Sequence, residues 1–168
     1  MRDRINELFQ LFKANGFQLF LVGGAVRDMF LRNKELNEIE DFDFATNATP
    51  TQMVGILVPR KLFTIGEKFG TLGLWDNKFQ ITTYRQEIYE DHSRFPTVNF
   101  VEDLREDLVR RDFTINALAM SPNWEPVDFF GGQEDWKQGI LRTPLRPDQT
   151  FKEDPLRMLR AFRFMSRY

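Results

Sequence analysis

Glu40-Asp41-Phe42-Asp43-Phe44-Ala45 sets polar against apolar residues at every step. This is the two-residue period of a strand with one face in a core and the other outside it. Phe42 and Phe44 are expected to point inward, and Asp41 and Asp43 to share the opposite face, roughly 7 Å apart at Cα. Upstream, residues 17–22 form an apolar run of strand length. Gly23-Gly24 breaks it, and Ala25, Val26, Met29 and Phe30 then take up helical spacing. Nearer the amino end, Ile5, Leu8, Phe9 and Phe12 share one helix face, and Gly16 is expected to end that helix at C′. Downstream, Thr49-Pro50 reads as an N-cap with proline at the first helical position, opening a helix to about residue 58. Residues 61–65, 71–75 and 79–84 read as strands, with Asp76-Asn77 as a tight turn between the last two. Residues 85–97 are polar and read as a loop. Residues 102–118 read as mostly helix, 127–132 as a strand end with a turn, and 153–168 as a closing helix. The sum is an α/β (α+β) fold, a small mixed sheet flanked by helices.

A chain of 168 residues with 42% hydrophobic content has material for one core with a small appendage, not for two full domains. The absence of cysteine excludes a disulfide framework and a thiolate zinc site. No apolar run approaches membrane-spanning length, and Met1-Arg2-Asp3-Arg4 leads into an amphipathic segment and not into a signal-peptide core. A cytoplasmic protein without a membrane partner is therefore expected, and nothing in the sequence speaks to oligomeric state. The net charge of −2 argues against a general nucleic-acid-binding module. Yet residues 142–168 hold seven basic residues against Asp148, Glu153 and Asp154. Such an edge suits phosphate, and it equally suits a solvated helix face. The single histidine, His92, has no identifiable partner and reads as incidental.

Two carboxylates on one strand face repel unless they are solvated or bridged by cations, and hard oxygen ligands suit Mg²⁺. A pair of this kind is what two-metal phosphoryl transfer requires. Taken alone, Asp-x-Asp is more often a plain acidic strand face. In Leu21-Val22-Gly23-Gly24-Ala25-Val26-Arg27-Asp28 a strand ends, two glycines permit close backbone approach, and a helix begins with its N–H groups exposed. That geometry binds anions, and Arg27 could add a phosphate contact. It is neither the dinucleotide fingerprint nor a Walker A loop, and in isolation it is more often only a turn.

In combination, Gly23-Gly24-x-Val26-Arg27-Asp28 followed by Asp41-Phe42-Asp43-Phe44-Ala45-Thr46 resembles the signature of the polymerase-β nucleotidyltransferase superfamily. It is most similar to the class II tRNA nucleotidyltransferases and the related bacterial poly(A) polymerases. Further matches follow in that family's order. Residues 66–73 and Ile81-Thr82-Thr83-Tyr84-Arg85 resemble its central sheet, and residues 89–96 its flexible loop. Arg110-Arg111-Asp112-Phe113-Thr114-Ile115-Asn116-Ala117 resembles its ribose- and triphosphate-contacting motif. Asp128-x-x-Gly131-Gly132-x-x-Asp135 with Ile140 and Arg142 resembles a hinge between head and neck, and Glu153-Asp154-Pro155-Leu156-Arg157-x-x-Arg160 a nucleobase-reading motif. The resemblance implies a nucleotidyltransferase head over residues 1–140 and the start of a helical neck over 141–168. The implied activity is template-independent addition of C and A to the tRNA 3′ end from CTP and ATP, with two Mg²⁺ ions held by Asp41 and Asp43. Gly23, Gly24, Arg27, Arg111, Asp112 and Asn116 would take the nucleotide and its triphosphate, and Asp154, Arg157 and Arg160 its base. CC- or A-adding activity, poly(A) synthesis, and nucleotide binding with little turnover are alternatives.

The last motif has a physical reading of its own. Asp154 and Arg157, three apart, would share a helix face. Cytosine and adenine each present an amino donor beside a ring-nitrogen acceptor, so a carboxylate and a guanidinium can pair with both. Uracil and guanine put a carbonyl where the amino group would be. Asp154-Pro155 is equally an N-cap and N1 pair. Two features depart from the family pattern. Gln80 stands where relatives usually carry a third carboxylate, and relatives continue beyond this length into helical regions that hold tRNA. Weak tRNA binding is therefore expected of this chain.

Overall fold

The computed structural model describes residues 1–58, 62–64, 70–74, 78–89 and 96–167. Helix α1 (Arg2–Ala14) buries Ile5, Leu8, Phe9 and Phe12 on one face. It ends at Gly16 as expected. The Gly16 N–H bonds the Lys13 carbonyl at 3.0 Å and the Phe17 N–H the Phe12 carbonyl at 3.0 Å, a closure that uses the φ of +82° at Gly16. Helix α3 (Pro50–Leu57) starts at Thr49, which exchanges hydrogen bonds with Gln52 in a capping box.

Nine strands are described: β1 (Leu19–Val22), β2 (Phe42–Thr46), β3 (Leu62–Thr64), β4 (Thr71–Leu74), β5 (Phe79–Thr83), β6 (Arg85–Ile88), β7 (Thr97–Phe100), β8 (Leu118–Met120) and β9 (Pro126–Asp128). Seven form a mixed sheet in the order β3-β4-β5-β2-β1-β8-β9, in which only the β2–β5 pairing is parallel. Strict alternation along β2 sends Phe42 and Phe44 into the core, where they stack on Phe79 at 5.2 and 5.7 Å. Together with α1 and α3 they form the larger core. The opposite face carries Val22, Ala45, Ala119 and Tyr84 against Leu104 and Leu108 of α4 (Leu104–Val109). Both faces are thus covered, as an α/β layer arrangement requires.

The register of the central strands gathers the polar motifs. β1 pairs antiparallel with β2, Val22 opposite Asp43, and with β8, Val22 opposite Ala119. The end of β1, the start of β2 and the approach to β8 therefore meet at one end of the sheet. Three stretches far apart in sequence, the Gly23-Gly24 turn, the Asp41/Asp43 pair and residues 110–117, are brought together by this pairing alone.

Three sequence expectations need correction, and one helix was not anticipated. Residues 85–97 are not wholly loop: β6 pairs with β7 in a separate two-stranded ribbon. Its inward residues are Arg85 and Glu87, satisfied by ion pairs, so no apolar alternation marks the strand. The stretch 102–118 contains only the short α4 and a 3₁₀ turn (Thr114–Asn116) before it becomes β8. After β9 the chain forms helix α5 (Gly132–Lys137), because the Asp128 carboxylate accepts from the N–H groups of Phe130, Gly131, Gly132 and Gln133. The closing segment is two helices, α6 (Pro147–Glu153) and α7 (Leu156–Arg167), broken at Asp154, whose backbone is extended and which is followed by Pro155. The Asp76-Asn77 turn, His92, and residues 66–69 and 90–95 lie outside the described residues.

Candidate active site

A cleft of about 840 Å³ opens at this end of the sheet, closed on its far side by α7. Asp41, Asp43, Gly23, Gly24, Arg27, Arg111, Asp112, Asn116, Asp154, Arg157 and Arg160 all line it. Every residue expected to hold the metal, the nucleotide or its base is there; Gln80 is not.

The glycine turn is built for closeness. Gly23 has φ +71°, and a Cβ at this position would lie 3.0 Å from Arg111 Nη1 and 3.8 Å from Asp43 Oδ2. A side chain here would be strained in backbone and would press on the guanidinium. The helix that follows, α2 (Gly24–Val26), is a single turn that passes into a π-helical turn, Arg27–Leu31. Arg27 is held in place: its Nε donates to Asp28 at 2.8 Å, its Nη1 to Asn116 at 2.6 Å, and its guanidinium lies over the Phe164 ring at 5.4 Å.

Asp43 is open to the cleft, yet the protein walls around it displace enough solvent to raise its pKa from the ordinary value; Arg111 opposes the shift and the charge of Asp41 adds to it. Negative charge is costly here, and a cation would be favoured. Asp41 lies one residue ahead of β2 and is exposed toward the cleft. Among the described residues no group of three or more His, Cys, Asp or Glu side chains is arranged to hold a metal. Two carboxylate groups with hard oxygen donors nevertheless fit a divalent ion in kind. Gln80 is the register partner of Asp43 across the parallel β2–β5 pair, and it does not line the cleft.

On the α4 side, Asp112 is saturated by protein donors. One oxygen accepts from Phe113 N and Asn116 Nδ2, both at 2.9 Å, and the other from Arg160 Nε at 2.7 Å and Nη2 at 2.6 Å. Two expected nucleotide contacts therefore neutralise each other here. Asp154 and Arg157 do not share a helix face as expected, because Asp154 is the break before α7; its Oδ1 accepts from Leu156 N at 3.1 Å. Arg157 is 6% exposed and donates from Nη2 to the Arg110 carbonyl at 2.9 Å and the Tyr89 hydroxyl at 3.4 Å.

Sequence reasoning missed the polar network beneath these groups. Asp107, fully buried, accepts from Arg110 at 2.8 Å, Arg111 at 3.1 Å and the Arg85 N–H at 3.2 Å. Burial pushes its pKa up, and Arg110 and Arg111 outweigh burial so that it lies below the usual range. Tyr89 donates to Glu87 at 2.9 Å, and burial, with the Glu87 charge, pushes its phenol up to about 12. Arg110 and Arg111 stand three and four residues from Asp107, a helical spacing, and only the Arg85 N–H comes from a distant stretch. The dense charge of Arg105-Glu106-Asp107 and Arg110-Arg111-Asp112 was the one available signal.

A mixed sheet with a glycine turn, paired aspartates and clustered arginines at one end is a nucleotidyltransferase head of the polymerase-β-like kind. The chain belongs to the family of the poly A polymerase head domain, whose model matches residues 19–142. It is 44% identical over 162 residues to a CCA-adding enzyme of Bacillus velezensis, a match covering 95% of this chain and 39% of that protein. The Bacillus stearothermophilus CCA-adding enzyme in complex with CTP superposes with a TM-score of 0.82 at 38% identity, over 96% of this chain and 38% of that one. A tRNA nucleotidyltransferase complexed with a primer tRNA and an incoming ATP analog superposes with a TM-score of 0.71 at 34% identity, over 92% and 43% of the two chains. The chain thus spans about two fifths of the length of these relatives. No described helix is long and apolar enough to cross a membrane.

Proposed function

We propose that this chain is the catalytic head of a CCA-adding tRNA nucleotidyltransferase acting in the cytoplasm. Residues 1–140 form the head and 141–168 the start of a nucleobase-reading neck. C and A nucleotides are transferred from CTP and ATP to the 3′ end of tRNA without a nucleic-acid template. One observation carries the reading: eleven residues drawn from four separate stretches of sequence line one cleft. The relatives crystallised with CTP, and with a primer tRNA and an ATP analog, support it.

In this reading Gly23 and Gly24 let the triphosphate approach the backbone, while Arg27 and Arg111 balance its charge. Asp112 and Asn116 meet the ribose, with Arg160 exchanging Asp112 for the nucleotide. Asp154 accepts from the amino group of C or A, and Arg157 donates to the adjoining ring nitrogen. Asp41 and Asp43 would hold the two Mg²⁺ ions, which would supply acidification of the RNA 3′ hydroxyl and charge balance for the phosphates.

The test is incubation with labelled CTP and ATP, Mg²⁺, and tRNA ending at each partial 3′ terminus. The expected outcome is C added to termini lacking C, A added once after CC, and no use of UTP or GTP. A run of A beyond the first would point to poly(A) synthesis instead, and no incorporation with CTP still bound would reduce the chain to a nucleotide-binding module. Gln80 favours this last reading, since it brings no charge to Asp43. The Gln80→Glu variant decides its weight: faster turnover supports it, and unchanged turnover removes it.

A further inference from the structure

Glu87 lies on β6, outside the residues already assigned to the nucleotide, yet its side chain lines the cleft and is only 10% exposed. Its Oε1 accepts from Arg85 Nη2 at 3.0 Å and from Arg110 Nη1 at 2.9 Å. Its Oε2 accepts from the Tyr89 hydroxyl at 2.9 Å and stands 3.9 Å from Arg157 Nη2. Arg157 Nη2 itself bonds that same hydroxyl and the Arg110 carbonyl. One carboxylate therefore holds the phenol that Arg157 bonds, and it also pairs with the side chain of Arg110, whose backbone carbonyl is the other acceptor of Arg157. Among the described residues Arg157 Nη1 is buried without a hydrogen-bond partner, 3.7 Å from Glu153 Oε2. A donor left unbonded in this way costs free energy that an acceptor on a ligand can recover after a small movement.

We propose that Glu87 is a positioning residue for nucleotide choice, orienting Arg157 through the Tyr89 hydroxyl so that Nη1 meets the ring acceptor shared by cytosine and adenine. The proposal rests on the reading that Arg157 contacts the base. A merely structural Glu87 would alter stability without altering choice between bases. Positioning by Glu87 would alter choice, and only while Arg157 is present.

The experiment measures equilibrium binding of CTP and of UTP, each with Mg²⁺, to the 168-residue chain. Glu87→Gln removes the charge, and Tyr89→Phe removes only the hydroxyl relay, so a chain weakened by the first substitution still leaves the second to decide. Each is expected to lower the CTP-over-UTP affinity ratio by about three- to tenfold. In an Arg157→Ala background neither should lower it further, which is the coupling that a shared path demands. An unchanged ratio in Tyr89→Phe, or the same loss with and without Arg157, overturns the positioning role. If Arg157→Ala itself leaves the ratio intact, the base-reading role is what fails, and the two failures are told apart by that single variant.

Discussion

Asp43 sits on a strand whose neighbouring residues, Phe42 and Phe44, are packed into the core, so its side chain has one direction open to it. That direction is the cleft, where Arg111 and Asp41 are the charges that act on it. Asp41→Ala and Asp43→Ala are expected to abolish Mg²⁺-dependent transfer while leaving the melting temperature near the parent's. The loss should be on the order of a thousandfold in rate, as several kcal/mol of barrier implies. Near-normal turnover in both variants would refute the metal role. Arg157 differs, because it is buried and bonded within the protein as well as lining the cleft. Arg157→Ala is expected to relax CTP-over-UTP preference by tenfold or more, from a lost charged hydrogen bond of roughly 1.5–3 kcal/mol. It should also lower the melting temperature, whereas Asp154→Ala, which gives up one exposed backbone contact, should relax preference with little loss of stability. Competition between labelled CTP and UTP, paired with thermal melts, checks both.

At the scale of elements, what could be read in advance was what repeats along the chain. The two-residue period gave β2, the 3.6-residue period gave α1, and Thr49-Pro50 and Gly16 gave two helix ends. The ribbon β6–β7 was illegible because its inward face is satisfied by charge: Glu87 pairs with Arg85 and Arg110 where an apolar strand would present Val or Ile. Helix α5 was illegible because its cap comes from Asp128, ahead of its first residue and on the preceding strand. The cleft-lining residues were legible through their types and order, but their mutual pairing, Asp112 with Arg160 above all, depends on contacts 48 positions apart. Asp107 ties these elements together and yields a prediction. Its pKa is depressed in the folded chain, so its contribution to stability is complete above the unfolded value of about 3.9 and is lost as pH falls through the folded value. Asp107→Asn leaves Arg110 and Arg111 without their shared buried counter-charge. It is expected to cost about 3–5 kcal/mol at neutral pH and to flatten the loss of stability below pH of about 4. Urea unfolding at several pH values measures both; an Asn variant with the parent's acid slope would show that Asp107 is not the group responsible.

For the whole molecule, the balance of charge decides what the chain can hold. Of the basic residues between 142 and 167, Arg142 pairs with Asp135, Arg146 with Asp148, Arg157 with Glu153 and Glu87, and Arg160 with Asp112. Much of the local positive charge is thus compensated within the chain, and little is left to displace counterions from RNA. Titration of tRNA across salt concentrations is expected to give weak binding with a shallow log–log slope, on the order of −2 to −3; tight binding or a steep slope would contradict this. Nucleotide binding makes no such demand, since the glycine turn, the aspartates and α7 already surround one cleft. The most direct measurement is therefore a crystal structure of the 168-residue chain with CTP and Mg²⁺. The triphosphate is expected against Gly23, Gly24 and Arg111, metal between it and Asp41 and Asp43, and the base facing Asp154 and Arg157. A nucleotide seated outside this cleft, or a cleft left empty at saturating CTP, would contradict that expectation.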